Sequence, residues 1–376
     1  MVSWPLLRRW AGQARAVPHY YLPYLFREGQ AGTPLCVDIE LTYRCNLKCL
    51  MCPQEQFKIN RKSRKPKRPE LEQSERENIL DDLAHMRVGY ITFTGGEPFV
   101  NPACLPLIRY AKRSGLFCNV LSNGALLTEE KVKEICESGL DSITFSLDGT
   151  EAVHDKIRGI PGSYQKLTAA IRNFRLHPGN APCLGLNCTI SALNQDDFSR
   201  LVDIAHELGI RAVNFAFLFF TDEEAVEKTK KMIDISQGKE ENQIIPDYLK
   251  EVDLNILGRE IETCFQKARD KKIPINFSPP VQGAFLEKYF FDRNYSYAGK
   301  CFFPWYSSRI NPYGDVYPCS LDLTMGNIRE QPFSQIWNGP DYVNFRKNLK
   351  ERKLFPKCMK CCELKSRLWD YLPGPV

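Results

Sequence analysis

The stretch that decides the fold of this chain is residues 36–52, which read CVDIELTYRCNLKCLMC. Residues 36–42 are a short run rich in β-favouring side chains, which predicts a β-strand. Cys45, Cys49 and Cys52 follow in a C-x3-C-x2-C loop. In parallel α/β folds, ligands bind beyond the carboxyl ends of the strands, so a loop of metal-binding side chains at this place indicates a ligand site.

Short β-rich runs and longer amphipathic stretches alternate downstream, which predicts βαβ units and a parallel sheet. The six predicted strands are Cys36–Thr42, Tyr90–Thr94, Phe117–Leu121, Ser142–Ser146, Cys183–Ile190 and Ala212–Leu218. Helices are predicted at Glu129–Ser138, Gln165–His177 and Asp196–Leu208. Periodicity leaves open whether the strands form a doubly wound sheet or an incomplete (β/α) barrel.

Changes in composition divide the chain into four segments. Residues 1–35 carry aromatic and basic side chains, which favours a cap segment over one that lies on a membrane surface. Residues 36–235 hold the α/β pattern, and residues 236–300 begin as a polar linker before a connecting helix and strand. Residues 301–376 are short segments rich in Cys, Pro, Gly and aromatic residues, which indicates a small second domain.

The composition is that of an ordinary globular protein of 376 residues, with 43% apolar and 26% charged residues. No apolar run approaches the roughly 18 residues that span a bilayer, and Arg8 and Arg9 interrupt any secretory hydrophobic segment. Fifteen cysteines, an odd number, argue against a closed disulfide framework and favour metal binding in a reducing compartment. We therefore expect a cytoplasmic protein without a membrane span.

The excess of positive charge in the chain comes from one segment. The formal net charge is +6, and residues 58–68 alone hold seven Lys or Arg residues and no acid. Because the rest of the chain is close to neutral, the excess charge does not predict a nucleic-acid-binding surface. A solvated loop is the simpler interpretation of this segment. The sharper hypothesis is that it recruits an anionic substrate, such as a phosphorylated sugar, since arginine binds phosphate in a bidentate way.

The three cysteines of residues 45–52 can hold three of the four irons of a cubane iron–sulfur cluster. The fourth iron is then left without a protein ligand, and an open metal position accepts an exchangeable ligand. The alternatives are plain buried cysteines or a zinc knuckle with a distant fourth ligand. Zinc sites of this type usually pair one C-x2-C with another, which this loop does not show.

The C-x3-C-x2-C loop after a first strand resembles the signature of the radical S-adenosylmethionine (SAM) enzymes. The resemblance continues at the later strand ends, in Gly95-Gly96-Glu97-Pro98, Ser122-Asn123-Gly124, Ser146-Leu147-Asp148-Gly149, His154-Asp155 and Arg158-Gly159. Each motif alone also fits an ordinary turn, but the five in this order are specific together. One departure is Met51, at a position that is often aromatic in the family.

The resemblance implies a SAM site at these strand ends. In family members the glycine backbone and the glutamate meet the SAM amino group, polar side chains at the third and fourth strand ends contact the ribose or the carboxylate, and the arginine pairs with the carboxylate. The residues so assigned to SAM binding are Gly95, Gly96, Glu97, Pro98, Ser122, Asn123, Ser146, Asp148 and Arg158.

A second group of cysteines lies in the last part of the chain. Cys301 and Cys319 form a C-x12-G-x4-C pattern that resembles the hairpin opening the SPASM/Twitch extension of radical SAM enzymes. By that resemblance, Cys358 and Cys361 complete four ligands for one auxiliary [4Fe–4S] cluster, and Cys362 is the alternative to Cys361. The small number of cysteines favours the single-cluster Twitch form. A four-cysteine zinc site is the other interpretation.

Together these resemblances imply a fold and a reaction. The expected fold is α/β, a partial (β/α)6 TIM-type barrel with a small C-terminal Twitch/SPASM-like cluster-binding domain. The expected cofactors are SAM, a SAM-binding [4Fe–4S] cluster and a second, auxiliary [4Fe–4S] cluster. Such enzymes cleave SAM reductively to a 5′-deoxyadenosyl radical, here with a flavodoxin- or ferredoxin-type reductant, and the radical abstracts hydrogen from the substrate.

The leading hypothesis for the substrate is a small molecule or carbohydrate whose alcohol is oxidised to a ketone. Such an oxidation needs a base for the second proton, and Asp222 and Glu223, followed by Glu224, are the nearest acids after the sixth predicted strand. The main alternative is a peptide-modifying maturase. It is less favoured because only 35 residues precede the first strand, fewer than a leader-binding domain of roughly 80–90 residues needs. An electron-transfer protein is the alternative of another class, but it would not need a SAM pocket.

Overall fold

One continuous sheet of ten strands organises the part of the chain that this computed structural model describes, residues 21–52, 68–219, 221–233, 251–321 and 323–364. The strands are β1 (Cys36–Thr42), β2 (Tyr90–Gly95), β3 (Cys118–Ser122), β4 (Ser142–Ser146), β5 (Cys183–Ile190), β6 (Val213–Phe217), β7 (Ile275–Ser278), β8 (Ser307–Ile310), β9 (Asp315–Tyr317) and β10 (Gly326–Asn327). Their order across the sheet is β10-β9-β8-β1-β2-β3-β4-β5-β6-β7.

Helices alternate with the strands from β1 to β7. They are α1 (Gln73–His85), α2 (Cys104–Arg113), α3 (Glu129–Glu137), α4 (Glu151–Arg158), α5 (Ser163–Phe174), α6 (Arg200–Leu208), α7 (Glu223–Met232), α8 (Leu254–Lys271), α9 (Phe285–Phe291), α10 (Phe333–Trp337) and α11 (Pro340–Arg352). None of the helices in the described part of the chain combines the length and the hydropathy that a membrane crossing requires.

The six predicted strands all form, and they pair in parallel in their chain order. The predicted α/β fold with a partial barrel is therefore confirmed. The third strand begins and ends one residue later than predicted, and the sixth is one residue shorter at each end. Such shifts are expected because the period of a sequence pattern locates a strand better than it locates the strand's ends.

Segments outside the predicted barrel extend its sheet at both edges. β7, from the connecting segment, pairs in parallel with β6, and β8, from the C-terminal segment, pairs in parallel with β1. The register runs from Cys36 opposite Ser307 to Ile39 opposite Ile310. An edge strand leaves a row of backbone groups without partners, and β8 satisfies those of β1. The C-terminal segment is thereby fixed to the first strand of the barrel.

The two faces of the parallel strands differ in polarity. In β1 the side chains of Val37, Ile39 and Leu41 are at most 2% exposed and belong to the hydrophobic core, whereas Asp38 and Glu40 between them are partly exposed. Alternate residues of a strand point to opposite faces, so the apolar set packs under the helices and the polar set faces the other side. We call this polar inner face the lumen.

The amino-terminal segment lies on the C-terminal part of the molecule. The ring of Tyr24 packs at 4.3 Å from Phe302 and 4.9 Å from Trp305, measured between ring centroids. The Ala31 N–H donates to Asn338 Oδ1 at 2.9 Å. Of the predicted cap segment, residues 1–20 lie outside the described residues. The described remainder contacts the domain that carries the second group of cysteines.

Candidate functional site

The first cysteine loop, residues 45–52, lies at the carboxyl end of β1 and is held by α4. The N–H groups of Lys48 and Leu50 donate to the carbonyls of Arg158 (3.1 Å) and Ile157 (2.9 Å) at the end of that helix. Gly159, which ends the helix at φ +70°, leaves room for this contact, since a Cβ there would lie 2.5 Å from the Lys48 carbonyl oxygen. Backbone contacts therefore fix the loop before any metal binds.

The two glycines after β2 allow a close approach within the chain itself. The Gly96 N–H donates to the Thr42 carbonyl at 2.7 Å, and the Glu97 N–H donates to the Arg44 carbonyl at 3.0 Å. A Cβ on Gly95 or Gly96 would overlap these same carbonyl oxygens. The glycine motif thus docks directly onto the segment that enters the first cysteine loop.

Glu97 is buried, and the chain supplies donors to both of its carboxylate oxygens. Ser122 Oγ donates to Oε1 at 2.9 Å, as does the Phe99 N–H at 3.2 Å, and the Asn123 N–H donates to Oε2 at 2.8 Å. Burial raises the pKa of Glu97 to about 7, although these hydrogen bonds oppose the shift. Two of the residues predicted to touch SAM, Ser122 and Asn123, therefore position the predicted glutamate.

Asn123 also reaches the first cysteine loop. Its Nδ2 donates to Asn46 Oδ1 at 2.9 Å and lies 3.9 Å from Cys45 Sγ. The other predicted positions flank this contact: Pro98 is buried in the short turn after Glu97, and Ser146 ends β4 opposite Asn187 of β5. The strand ends that carry the motifs converge around the loop.

Arg158 connects the fourth strand end to the cysteines. Its Nη2 lies 2.7 Å from Asp148 Oδ2, and its Nη1 donates to Cys49 Sγ at 3.6 Å. Burial raises the pKa of Cys49 to about 11, and the Arg158 charge lowers this shift. The Asp148 N–H donates to His154 Nδ1 at 3.3 Å, and burial lowers the pKa of His154 to about 3, so its imidazole is neutral.

This arrangement fits the SAM and cluster site that the motifs predict. Three cysteines share one loop, and side-chain N–H donors of Asn123 and Arg158 reach two of the sulfurs. The buried Arg158 Nε has no hydrogen-bond partner among the described residues, which suits an added carboxylate oxygen.

The second group of cysteines surrounds one apolar cavity, which we call the auxiliary cavity. It is lined by Cys301, Cys319, Cys358 and Cys361, together with Phe219, Phe303, Pro304, Ser320, Leu321, Leu349, Lys357, Glu363 and Leu364. Cys362 is not part of this lining, and its carbonyl accepts a hydrogen bond from Ser278 Oγ at 2.6 Å. The four cysteines predicted as ligands thus line one cavity, and Cys362, the predicted alternative to Cys361, is not part of that lining. That these cysteines bind a cluster stays a prediction.

The protonation of the auxiliary cysteines is set by burial and by one another. Burial raises the pKa of Cys358 to about 12 and raises those of Cys319 and Cys361 well above the ordinary value. Neighbouring thiolate charges add to each shift. A metal group of positive charge reverses this balance and stabilises thiolates, so four cysteines in a dry cavity suit an iron–sulfur cluster.

The cysteines near the chain end are held by residues next to α9. The Lys360 ammonium donates to the carbonyls of Asp292 (2.8 Å) and Tyr295 (3.1 Å) and lies 5.1 Å from the centre of the Tyr289 ring. Tyr289 in turn donates to the Lys360 carbonyl at 3.0 Å. Lys360 stands between Cys358 and Cys361, so these contacts fix the spacing of both sulfurs.

β1 and β8 bring the segments of the two cysteine groups side by side in the sheet. The first residue of β1, Cys36, pairs with Ser307, six residues after Cys301, and its last, Thr42, stands three residues before Cys45. Seven strand residues span roughly 20 Å. The strand that leads into the first cysteine loop is therefore paired with the strand that follows Cys301.

Two acids on β1, Asp38 and Glu40, were not among the sequence-predicted site residues. Cys36 Sγ donates to Asp38 Oδ1 at 3.4 Å, and the Tyr43 hydroxyl donates to Glu40 Oε2 at 3.1 Å. Burial, with the Glu363 charge next, raises the pKa of Asp38 to about 6. A signal was present in the sequence, since acids alternate with apolar residues inside a strand that the fold buries.

Asparagines continue the polar lumen on the opposite strands. Asn214 Nδ2 donates to Asn187 Oδ1 at 2.6 Å, and Asn276 Nδ2 donates to Asn214 Oδ1 at 2.7 Å. The three residues lie in register across β5, β6 and β7. Across from them, Ser142 Oγ donates to Asn119 Oδ1 at 2.8 Å. The lumen thus offers uncharged hydrogen-bonding groups along several strands.

The structure places the predicted catalytic acids at the start of α7. Asp222 Oδ1 accepts the Ala225 N–H at 2.8 Å and caps the start of α7. Glu223 is exposed in the first turn of the same helix, and Glu224 is exposed and pairs with Lys228 at 2.6 Å. A helix start leaves N–H groups without partners, and this need explains Asp222. A catalytic role for Asp222 and Glu223 stays a prediction.

The basic segment falls mostly outside the described residues, which omit 53–67. Its last residue, Arg68, is exposed and lies 3.0 Å from Glu330. Recruitment of an anionic substrate by this segment stays a prediction.

Comparison with known families places both cysteine sites in named domains. The family model of the Radical SAM superfamily matches residues 39–233, which is more than half of the chain. The model of SPASM, described as an iron-sulfur cluster-binding domain, matches residues 301–362. The first match holds the first cysteine loop and all the strand-end motifs, and the second holds all five cysteines of the C-terminal group.

Curated relatives of similar length belong to two kinds. An AdoMet-dependent heme synthase of Methanosarcina barkeri is 28% identical over 345 residues, covering 87% of this chain and 88% of the relative. A PqqA peptide cyclase of Gluconobacter oxydans is 26% identical over 348 residues, covering 89% and 84%. The two relatives are similar to this chain to nearly the same degree, and their names point to different substrates.

Solved structures share the fold. Streptococcus suis SuiB bound to S-adenosylmethionine aligns with a TM-score of 0.60 at 18% identity, over 89% of this chain and 72% of that one. The protein anSMEcpe with bound AdoMet aligns with a TM-score of 0.58 at 17% identity, over 88% and 85%. At these identities the likeness concerns the fold alone.

Proposed function

The chain belongs to the radical SAM superfamily and carries a SPASM iron–sulfur domain, and from this premise we propose that it oxidises a hydroxyl-bearing small molecule or carbohydrate. Its cofactors are SAM and [4Fe–4S] clusters. When bound and reduced, the first cluster supplies the electron that cleaves SAM to a 5′-deoxyadenosyl radical, which takes a hydrogen atom from the substrate. Electrons are supplied by a flavodoxin- or ferredoxin-type protein.

One observation carries the proposal: β1, which leads into the first cysteine loop, pairs with β8, which follows Cys301, and a polar lumen face lies beside that strand. A substrate in this lumen gives up a hydrogen atom near the first cysteine loop. A cluster held by the cysteines of the auxiliary cavity would accept the second electron of an oxidation. A redox group in that cavity is useful for oxidation, whereas a redox-neutral reaction does not require an electron acceptor there.

Different residues of the chain bind SAM, bind the substrate and exclude water. Arg158 and Glu97, a buried cation and a buried acid held by neighbouring side chains, would hold the charged ends of SAM. The amides of Asn187, Asn214 and Asn276 give and accept hydrogen bonds with substrate hydroxyls. The helices and the apolar core around the strands keep water from the radical, and fixed positions on strands keep the reacting hydrogen close to it.

The experiment is an anaerobic incubation of the reconstituted protein with dithionite, SAM and one deuterated candidate at a time. The panel includes sugars, sugar alcohols, a porphyrin and short peptides. We expect deuterium in 5′-deoxyadenosine and a ketone product from a hydroxylated compound. Cys45→Ala removes both signals, whereas Cys136→Ala, a buried cysteine of α3 outside both sites, keeps them. Deuterium transfer from peptides alone would contradict the proposed substrate class.

A peptide-modifying maturase is the second candidate, and the peptide cyclase of Gluconobacter oxydans supports it. The heme synthase of Methanosarcina barkeri supports a small molecule instead. The same panel separates the two, because the compound that passes deuterium to 5′-deoxyadenosine is the one whose C–H bond faces the radical.

A further inference from the structure

Asp38 is the third residue of β1, on the lumen face of the strand that leads into the first cysteine loop and pairs with β8. Its position opposite Thr92 of β2 and Arg309 of β8 is fixed by strand register on both sides. Val37 and Ile39, its neighbours in the chain, are buried in the core and hold the strand in place. The carboxylate therefore has a defined position inside the barrel.

The groups that face Asp38 come from several elements. Cys36 Sγ on the same strand donates to Asp38, and Thr92 Oγ1 of β2 lies 4.0 Å from Cys36 Sγ. The charge of Arg309 on β8 lowers the pKa of Asp38. Glu363 raises the pKa of Asp38 more than any other charged neighbour. Glu363 also lines the auxiliary cavity, so charge on Asp38 and charge at the cavity influence each other.

We propose that Asp38 holds the proton released during substrate oxidation and that its charge is coupled to the electron received at the auxiliary cavity. The inference rests on the proposed function and deepens it. It replaces the acids after the sixth strand, one of which caps α7, by an acid on the strand that leads into the first cysteine loop and pairs with β8. A general base with a pKa near the working pH transfers protons efficiently, and that of Asp38 is raised to about 6.

The oxidation balances as follows. The substrate C–H bond breaks and its hydrogen atom forms a C–H bond on the 5′-deoxyadenosyl fragment of SAM. The O–H bond then breaks, and its proton goes to the Asp38 carboxylate. The remaining electron goes to the auxiliary [4Fe–4S] cluster as the C=O bond forms. The products are a ketone, 5′-deoxyadenosine, methionine, a protonated Asp38 and a cluster reduced by one electron.

This coupling is measurable without knowing the substrate. An electron at the auxiliary cavity adds negative charge, which raises the pKa of Asp38 above its value before reduction. Between these two values, reduction takes up one proton, and the midpoint potential falls as pH rises. At low pH, Asp38 is protonated in both states and the potential is independent of pH. Above the pKa that Asp38 has after reduction, Asp38 is ionised in both states and the midpoint potential is again independent of pH.

The experiment is a redox titration of the auxiliary cluster in the full-length holoprotein, followed by electron paramagnetic resonance from about pH 5 to about pH 9. A Cys45→Ala sample, which lacks the first cluster, identifies the auxiliary signal. We expect the wild type to take up one proton per electron within the window. Asp38→Asn loses this dependence, and Glu40→Gln, the neighbouring lumen acid, keeps it.

Three outcomes would overturn the inference: a wild-type potential independent of pH, an Asp38→Asn variant with the wild-type slope, or loss of the slope in Glu40→Gln. If Asp38→Asn fails to take up clusters, Asp38→Glu replaces it, and the slope must persist with a shifted onset. SAM cleavage is measured separately in the wild type. Its absence would count against the proposed function, whereas a level potential counts against the role of Asp38.

Discussion

The first cysteine loop and the auxiliary cavity use the same side chain in opposite ways. The first loop takes all three cysteines from eight consecutive residues and is tied by backbone hydrogen bonds to α4 and to the glycine motif. The auxiliary cavity takes its four from positions up to sixty residues apart, and strand pairing and α9 bring them together.

The difference concerns what the surroundings supply. Donors of Arg158 and Asn123 reach the sulfurs of the first loop, and Glu97 and Asp148 lie nearby, as a site that binds a polar cofactor requires. The auxiliary cavity is lined mainly by apolar side chains that raise the cysteine pKa values. The first site is built for ligand exchange, and the second for holding its group in a dry environment.

Removal of a cysteine from the first loop has the largest expected effect. Cys45→Ala, Cys49→Ala or Cys52→Ala abolishes SAM cleavage, because no other side chain on the loop replaces a thiolate. Iron falls from about eight to about four per chain, as expected for two cubane clusters. Iron analysis and 5′-deoxyadenosine formation measure this. A wild type with about four irons, or with tightly bound zinc, would contradict the prediction.

Removal of an auxiliary cysteine separates the two sites. Cys301→Ala or Cys319→Ala abolishes product formation but retains some reductive SAM cleavage, since SAM is predicted to bind at the first cysteine loop, outside the auxiliary cavity. The measurement is the ratio of product to 5′-deoxyadenosine in the same reaction. Cys362→Ala is the matched control, because this neighbour lies outside the cavity lining. Unchanged turnover in both variants would refute a catalytic role for the auxiliary site.

A smaller effect is expected on stability, from the replacement of a buried arginine in the C-terminal segment. Arg346 is fully buried between the rings of Trp337 and Tyr342, each 4.1 Å away, and donates to the carbonyls of Pro304 and Trp337. Arg346→Met leaves these acceptors unpaired and lowers the free energy of unfolding by about 2 kcal/mol.

The control for this prediction is a second arginine, which lies at the surface and pairs with an acid. Arg329 pairs with Glu75 at 2.6 Å at the surface, and Arg329→Met costs about 1 kcal/mol or less. Denaturant unfolding of both variants gives the two values. Equal losses would show that burial of Arg346 adds nothing to its contribution.

The smallest expected effect tests how the first loop is held. Gly159 and Gly162 both have positive φ, +70° and +79°, but only Gly159 lies against the Lys48 carbonyl. Gly162→Ala costs about 1 kcal/mol of backbone strain and leaves SAM cleavage unchanged. Gly159→Ala costs the same strain and also displaces the loop, so SAM cleavage falls several-fold. Equal SAM cleavage by the two variants would show that the contact does not position the loop.

The residues that the sequence identified well are those whose role is local. The first cysteine loop, the glycine motif and the strand pattern are each contiguous, so a single stretch carries enough information to predict them. The assignment of single motif residues to SAM was less complete. Ser122 and Asn123 hold Glu97, a role that depends on how β2 and β3 lie side by side.

The role of Asp222 and Glu223 as a base stays a prediction, and the structure adds a second account of one of them. Asp222 and Glu223 were chosen because they follow a strand, but a residue at that place is also where a helix begins and needs a cap. Asp38 lies inside a strand, where a polar residue is easily read as a solvent-facing position. Only the barrel shows that this face is an interior.

By itself, the sequence determined the α/β pattern, the two groups of cysteines and the motifs that identify the superfamily, because these depend on spacing along the chain. The tertiary structure decided that β8 pairs with β1, that Cys361 lines the auxiliary cavity and that Asp38 lies opposite Arg309 of the C-terminal segment. These facts depend on strand register and on contacts between residues hundreds of positions apart. Such contacts form only when the buried faces of many elements pack at once, and no short stretch of sequence records that packing.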